Sequence, residues 1–137
     1  MLNEVVATYG AVFVLVVFVL GCAMLVGLTG EWYALQNEAA FLAASQAKYG
    51  GYTQEANVDL QRFVSERHID RSRLSVEVSA PGSPVPWGTP VTARVTYNFP
   101  FRLGKWASFD VPVTGAGRAV SAYVPGAYDV TYTYPSW

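Results

Sequence analysis

Few side chains in this sequence can make or break bonds, and they do not cluster. There is one histidine, His68, and one cysteine, Cys22. Cys22 lies inside an apolar run, which excludes a Cys–His nucleophile pair. An intrachain disulfide is impossible, and a lone cysteine makes no metal site. A Ser–His–Asp arrangement would have to use His68, and no serine sits in a nucleophile motif. The acids are scattered rather than paired. Gly115-Ala116-Gly117 has two glycines but precedes a strand pattern, not the helix that a phosphate loop requires. His68 stands among Arg62, Glu66, Arg67, Asp70, Arg71 and Arg73, where a solvated side chain is the simplest reading. The acids in that patch dilute its arginines as a nucleic-acid contact, and the net charge of −1 leaves no basic surplus. The expectation is a protein that is not an enzyme, with no cofactor, metal or nucleic-acid partner.

One acid has a different setting. Glu4 stands at the entrance of a run, Val5 to Leu28, with no charged residue, and no Lys or Arg occurs before Lys48. About 24 residues of helix span roughly 36 Å, enough for a hydrocarbon core of about 30 Å. A cleaved signal peptide would have a basic n-region and a shorter apolar core. Val19-Leu20-Gly21-Cys22 loosely resembles a lipobox, but Ala23-Met24-Leu25-Val26 continues the run; the plainer reading of Cys22 is a small buried hydrophobe. A single-pass anchor accounts for length and composition. Glu4 then has two readings: an ordinary acid in the headgroup layer, or a carboxylate that needs a cation at a bilayer-embedded helix end and so carries a function.

The elements that position this run follow from its continuation. Glu31-Trp32-Tyr33 is an interfacial exit signal. Glu31 to Tyr49 has neither Pro nor Gly and is rich in helix formers. Trp32, Leu35, Ala39 and Leu42 recur on one side at the helical period, with Phe41 beside them, and Glu31, Gln36, Asn37, Ser45 and Lys48 supply polar positions. One helix from about 3 to about 49 is predicted, with Gly27 and Gly30 as sites where it can bend. Gly50-Gly51 ends it, and Thr53 N-caps a shorter helix, about 53–67.

The rest alternates at the strand period: Leu74 to Ser79, then Val91 to Phe99, closed by Pro100. Phe109 to Val113 reads as a shorter edge strand because of Pro112, followed by Arg118 to Val124 and Tyr128 to Tyr134. The expected fold class is α+β: a long hydrophobic N-terminal helix (1–50, membrane segment about 5–28, amphipathic extension about 31–49), then a head (51–137) with a short helix and four to five antiparallel strands. One sheet face is expected to pack on the helical stem.

This layout resembles the type IV pilin-like superfamily. The residues that carry it are Asn3-Glu4-Val5-Val6 and the run to Leu28. The stretch Glu31-Trp32-Tyr33-Ala34-Leu35-Gln36-Asn37-Glu38-Ala39-Ala40 and the strand Val91 to Pro100 look like the TadE-like branch. The resemblance implies a structural subunit of an extracellular helical filament on a prokaryotic surface. Its partners would be copies of itself, the cytoplasmic membrane before assembly, pilus assembly machinery and a prepilin peptidase. It also implies that Glu4 pairs with a neighbour's N-terminal amine, on Met1 if this is the mature end. The family's acid stands at the fifth mature position rather than the fourth, and the cysteine pair of many pilins is missing.

In such a bundle Val5, Val6, Phe13, Val16, Val17, Leu20, Met24 and Leu28 would form the packing core. Gly10, Gly21, Gly27 and Gly30 would permit close approach or a kink. The alternative is a non-polymerising, single-pass anchored protein, such as a minor pilin-like subunit or an anchored binding domain.

Overall fold

The computed structural model describes residues 1–137, with every side chain except that of Leu103. It is an α+β chain of two helices, a short 3₁₀ turn and a three-stranded antiparallel sheet, in the order α1 (Leu2–Tyr49), α2 (Gln54–Glu66), β1 (Leu74–Val78), β2 (Pro90–Leu103) and β3 (Ala107–Val120), with the turn Arg71–Arg73 before β1. Two compact units divide it, Met1–Glu31 and Trp32–Trp137. The second half of α1 therefore folds with the head.

Helix ends follow the expected chemistry. Gly50 closes α1 with φ +80°, a left-handed conformation that favours glycine. Its Cα also abuts Tyr123, where an added Cβ would lie 2.5 Å from that residue's Cβ. Thr53 caps α2 by accepting a hydrogen bond from the Ala56 amide at 3.3 Å. His68, exposed, takes φ +52° just past the end of α2, and its amide donates to Ser65 O.

Strand order is β1-β2-β3. β1 pairs with Ala93–Tyr97 of β2, whereas β3 pairs with β2 along its whole length. Beyond Tyr97 the sheet is thus a two-stranded ribbon, turned at Gly104-Lys105-Trp106. The sheet has three strands instead of four or five. The two segments expected around 109–113 and 118–124 merge into β3, which ends at Val120. Pro112 sits within it, tolerated because β3 is an edge strand. Pro100 does not close β2, which runs on to Leu103. It faces Asp110 where β2 itself has only one neighbour, so its missing N–H breaks no ladder.

Tyr128–Tyr134 is not a strand. It makes a single bridge, Thr53↔Tyr132, and is held by individual bonds such as Thr133 N to Tyr52 O and Gln54 N to Thr131 O. Alternation alone did not reveal that those neighbours are a helix cap and a loop.

The core of the head lines up Leu35, Ala39, Leu42 and Ala43 of α1, Ala56, Leu60 and Val64 of α2, and Leu74, Val76, Val91, Ala93, Val95, Tyr97 and Val113 of the sheet, all buried. Leu35, Leu42 and Leu60 are fully buried, each contributing about 1.5–3 kcal/mol. Ion pairing adds little: among the described residues Arg73 bonds Asp110 at 2.7 Å and Asp70 at 3.5 Å, all near the surface, and such pairs contribute at most about 1 kcal/mol. Trp32 and Phe41, expected with this stripe, are instead 43% and 46% exposed.

Close contact between sheet and stem needs glycine. A Cβ on Gly115 would collide with the Leu35 carbonyl, and one on Gly117 would lie 2.6 Å from Ala39 O. The helix backbone cannot give way as a flexible side chain can. Gly117→Ala is expected to destabilise the head by about 1–3 kcal/mol, read as a lowered thermal midpoint of the detergent-solubilised chain. An unchanged midpoint would contradict the packing described.

Candidate assembly and membrane surface

The first unit is a helix whose apolar side chains cover every side. Among the expected packing residues, Val5, Val6, Phe13, Val16, Val17 and Leu20 are all at least half exposed, with Phe13 at 70%. Met24 and Leu28 are partly covered. A helix apolar all round has no aqueous face and belongs in an apolar medium, and α1 is long and apolar enough to cross a membrane. Gly10, Gly21, Gly27 and Gly30 have open space where a side chain would be, within a helix that continues unbroken through them. Each is a place where another surface can approach the backbone. Cys22 is exposed rather than buried, as are Gly21 and Ala23 beside it.

At the start of this helix Val5 N donates to Met1 O at 3.2 Å, and the Thr8 hydroxyl donates to Glu4 O at 2.8 Å. Glu4, Val5, Thr8 and Tyr9 line a shallow hollow. Among the described residues Glu4 makes no ion pair within the chain. Its position in the first turn favours a negative charge through the helix dipole.

In the head, three polar side chains have tertiary roles that the sequence reading does not assign. Gln36 pairs with the free edge of β3 as a peptide group would: its Nε2 donates to Ala116 O at 2.7 Å and its Oε1 accepts from Ala116 N at 3.1 Å. Gln46, fully buried, donates to Thr92 O at 3.1 Å and accepts from Ala80 N at 3.2 Å. A helical wheel marks both as polar; only the tertiary contact shows why each is needed.

The third is Glu38, 7% exposed, with Oε1 lacking any hydrogen-bond partner. Burial, then the charge of Asp59 and a hydrogen bond with it, push the Glu38 carboxyl up to about 8. The same surroundings raise the Tyr52 phenol, through burial first and then the charges of Glu38 and Asp59. Tyr52 donates to Asn57 Oδ1 at 3.0 Å, and Asn57 in turn binds Ser136 through both its amide and its carbonyl. Comparison with known proteins finds no family model, curated sequence or solved structure that matches the chain.

The raised value makes head stability depend on pH. Unfolded, Glu38 titrates at the ordinary carboxylate value of 4.5; folded, it holds its proton to about 8. Between those values the folded state binds the extra proton, so Glu38's contribution to stability is fully present below about 4.5 and is lost as pH rises toward about 8, by on the order of a few kcal/mol. Glu38→Gln keeps the shape and removes the proton, so its thermal midpoint should stay flatter from pH 5 to 9 and exceed that of the wild type at the alkaline end. Parallel pH profiles for the two proteins would refute a buried, protonated Glu38.

Proposed function

We propose that this chain is a structural subunit of a helical filament of the type IV pilin-like kind, of the TadE-like sort, that polymerises through its N-terminal helix. The single observation that carries the reading is the continuous, largely exposed apolar surface of the first unit. Before assembly a bilayer covers it. On extraction the remaining apolar medium is the same segment of other copies. Burial at about 25 cal/mol per Å² makes such a bundle strongly cohesive. One contact repeated with a fixed rise and rotation gives an open filament.

Glu4 acts as the register device. A carboxylate carried into that bundle is costly unless a cation meets it, and a neighbour's terminal amine is of the right sign. Gly10, Gly21 and Gly27 supply the close approach. The sheet-bearing head coats the filament on the extracellular side. No cysteine pair is needed for cohesion in this arrangement.

A non-polymerising anchored protein would use the same segment, and Glu4 separates the two. Material sheared from cells should contain thin filaments by negative stain that yield this chain by mass spectrometry. Glu4→Ala should remove them while the chain remains in the membrane. Filaments undiminished in Glu4→Ala would disprove the register role. Sheared material that lacks the chain, with all of it held in membranes, would favour the anchor.

A further inference from the structure

The stem covers one face of the sheet. Val91, Ala93 and Val95 are buried on that face, and Gly117 lies on Ala39. Side chains alternate along a strand, so the intervening residues stand on the opposite, outer face. This outer face is exposed but not flat. Glu77, Ser79, Thr92, Arg94, Ala116 and Arg118 line a hollow of about 450 Å³ in it.

Strand register explains the hollow. Glu77, Arg94 and Ala116 stand side by side in one row, and Thr92 stands opposite Arg118 in the next row of the same face. The small side chain of Ala116 leaves the space beside Arg94 open. Arg94 and Arg118 are diagonal neighbours, about 7–8 Å apart at the backbone, so two long cationic side chains border one space. Among the described residues the ion pairs are those of Arg73 with Asp70 and Asp110. Arg94 and Arg118 are therefore without an ionic partner, although Glu77 stands directly opposite Arg94. Ser79 Oγ accepts from the Thr92 amide at 2.8 Å, which leaves its own proton to donate. The next row toward the hairpin, Ser75, Thr96 and Thr114, is uncharged, with the Thr96 and Thr114 hydroxyls 3.1 Å apart.

We propose that this hollow binds a phosphate monoester of a polyhydroxylated molecule, a sugar phosphate in the simplest case. Such an ester carries a charge of about −1.5 to −2 at pH 7, which two guanidinium groups match. The planar guanidinium fork also fits phosphate oxygens. Glu77 has a complementary task. A carboxylate repels a bare oxyanion but accepts hydrogen bonds from hydroxyls, so it reads the carrier rather than the phosphate. Ser79 and Thr92 add hydroxyls beside it. The volume lies in the range of small-molecule sites, about 300–1,000 Å³. A phosphodiester fits less well, because it brings one charge to two arginines. The site lies wholly on the head, so it goes beyond the filament reading and holds equally for an anchored chain.

The test titrates the full, detergent-solubilised chain with glucose 6-phosphate at constant ionic strength and follows backbone amide NMR shifts. Saturable shifts are expected at residues 77–79, 92–94 and 116–118. Glucose and dimethyl phosphate should each bind at least roughly tenfold more weakly. Arg94→Gln and Arg118→Gln should each weaken glucose 6-phosphate by roughly tenfold. Both side chains are exposed, so the thermal midpoint should not move. Glu77→Gln should weaken glucose 6-phosphate yet tighten inorganic phosphate, which a plain basic patch would not do. Dimethyl phosphate or glucose binding as tightly as glucose 6-phosphate would overturn the proposal. Shifts that never saturate, or that spread over basic residues throughout the head, would overturn it as well. If an arginine variant loses its fold, the comparison of the three ligands on the wild-type chain decides alone. None of these outcomes bears on the filament reading, which stands or falls on the sheared material.

Discussion

Water cannot accommodate the helical surface formed by Val5 to Leu28. Its side chains are apolar on every side, and most of them are exposed. The physical question for this protein is therefore which apolar medium covers that surface at each stage. A bilayer would answer it for a single chain, and in the filament proposed above neighbouring copies would answer it. Everything polar near the segment then acquires meaning from its cost in such a medium, Glu4 first of all.

The head solves a separate problem with ordinary means. Its stem helix lacks enough apolar neighbours of its own, and the sheet supplies them at very short range through Gly115 and Gly117. Close approach brings polar backbone near the helix, and the glutamines manage it. Gln36 occupies the β3 edge that another strand could otherwise extend. Gln46 joins the start of β2 to the loop after β1. Among the described residues Glu38 has a buried side-chain oxygen without a hydrogen-bond partner, and retaining its proton is how it avoids carrying charge there.

Much of this architecture was legible in the residues. The bounds of α1 and α2 follow from helix formers, the Gly50 stop and the Thr53 cap, all local chemistry. The alternation from Val91 to Phe99 locates the centre of β2 for the same reason. What depended on distant partners was hidden. Pro100 and Pro112 look like strand breakers until the ribbon shows that each sits where a free edge tolerates it. Gly115 and Gly117 read as a failed phosphate loop, because only the packed stem reveals what their missing side chains make room for. Tyr128 to Tyr134 alternates well, yet its bonding partners are a helix cap and a loop. Glu38 resembled any solvent-facing acid of a helix rich in Glu and Gln.

Helical reconstruction of material sheared from cells tests the filament reading most directly, because it shows what surrounds the apolar segment outside a membrane. A central bundle is expected in which Val5 to Leu28 of neighbouring copies bury one another, with each Glu4 carboxylate beside a neighbour's terminal amine and the heads outside. An assembly held together by the heads alone, with the apolar segments still in lipid or detergent at its periphery, would contradict it.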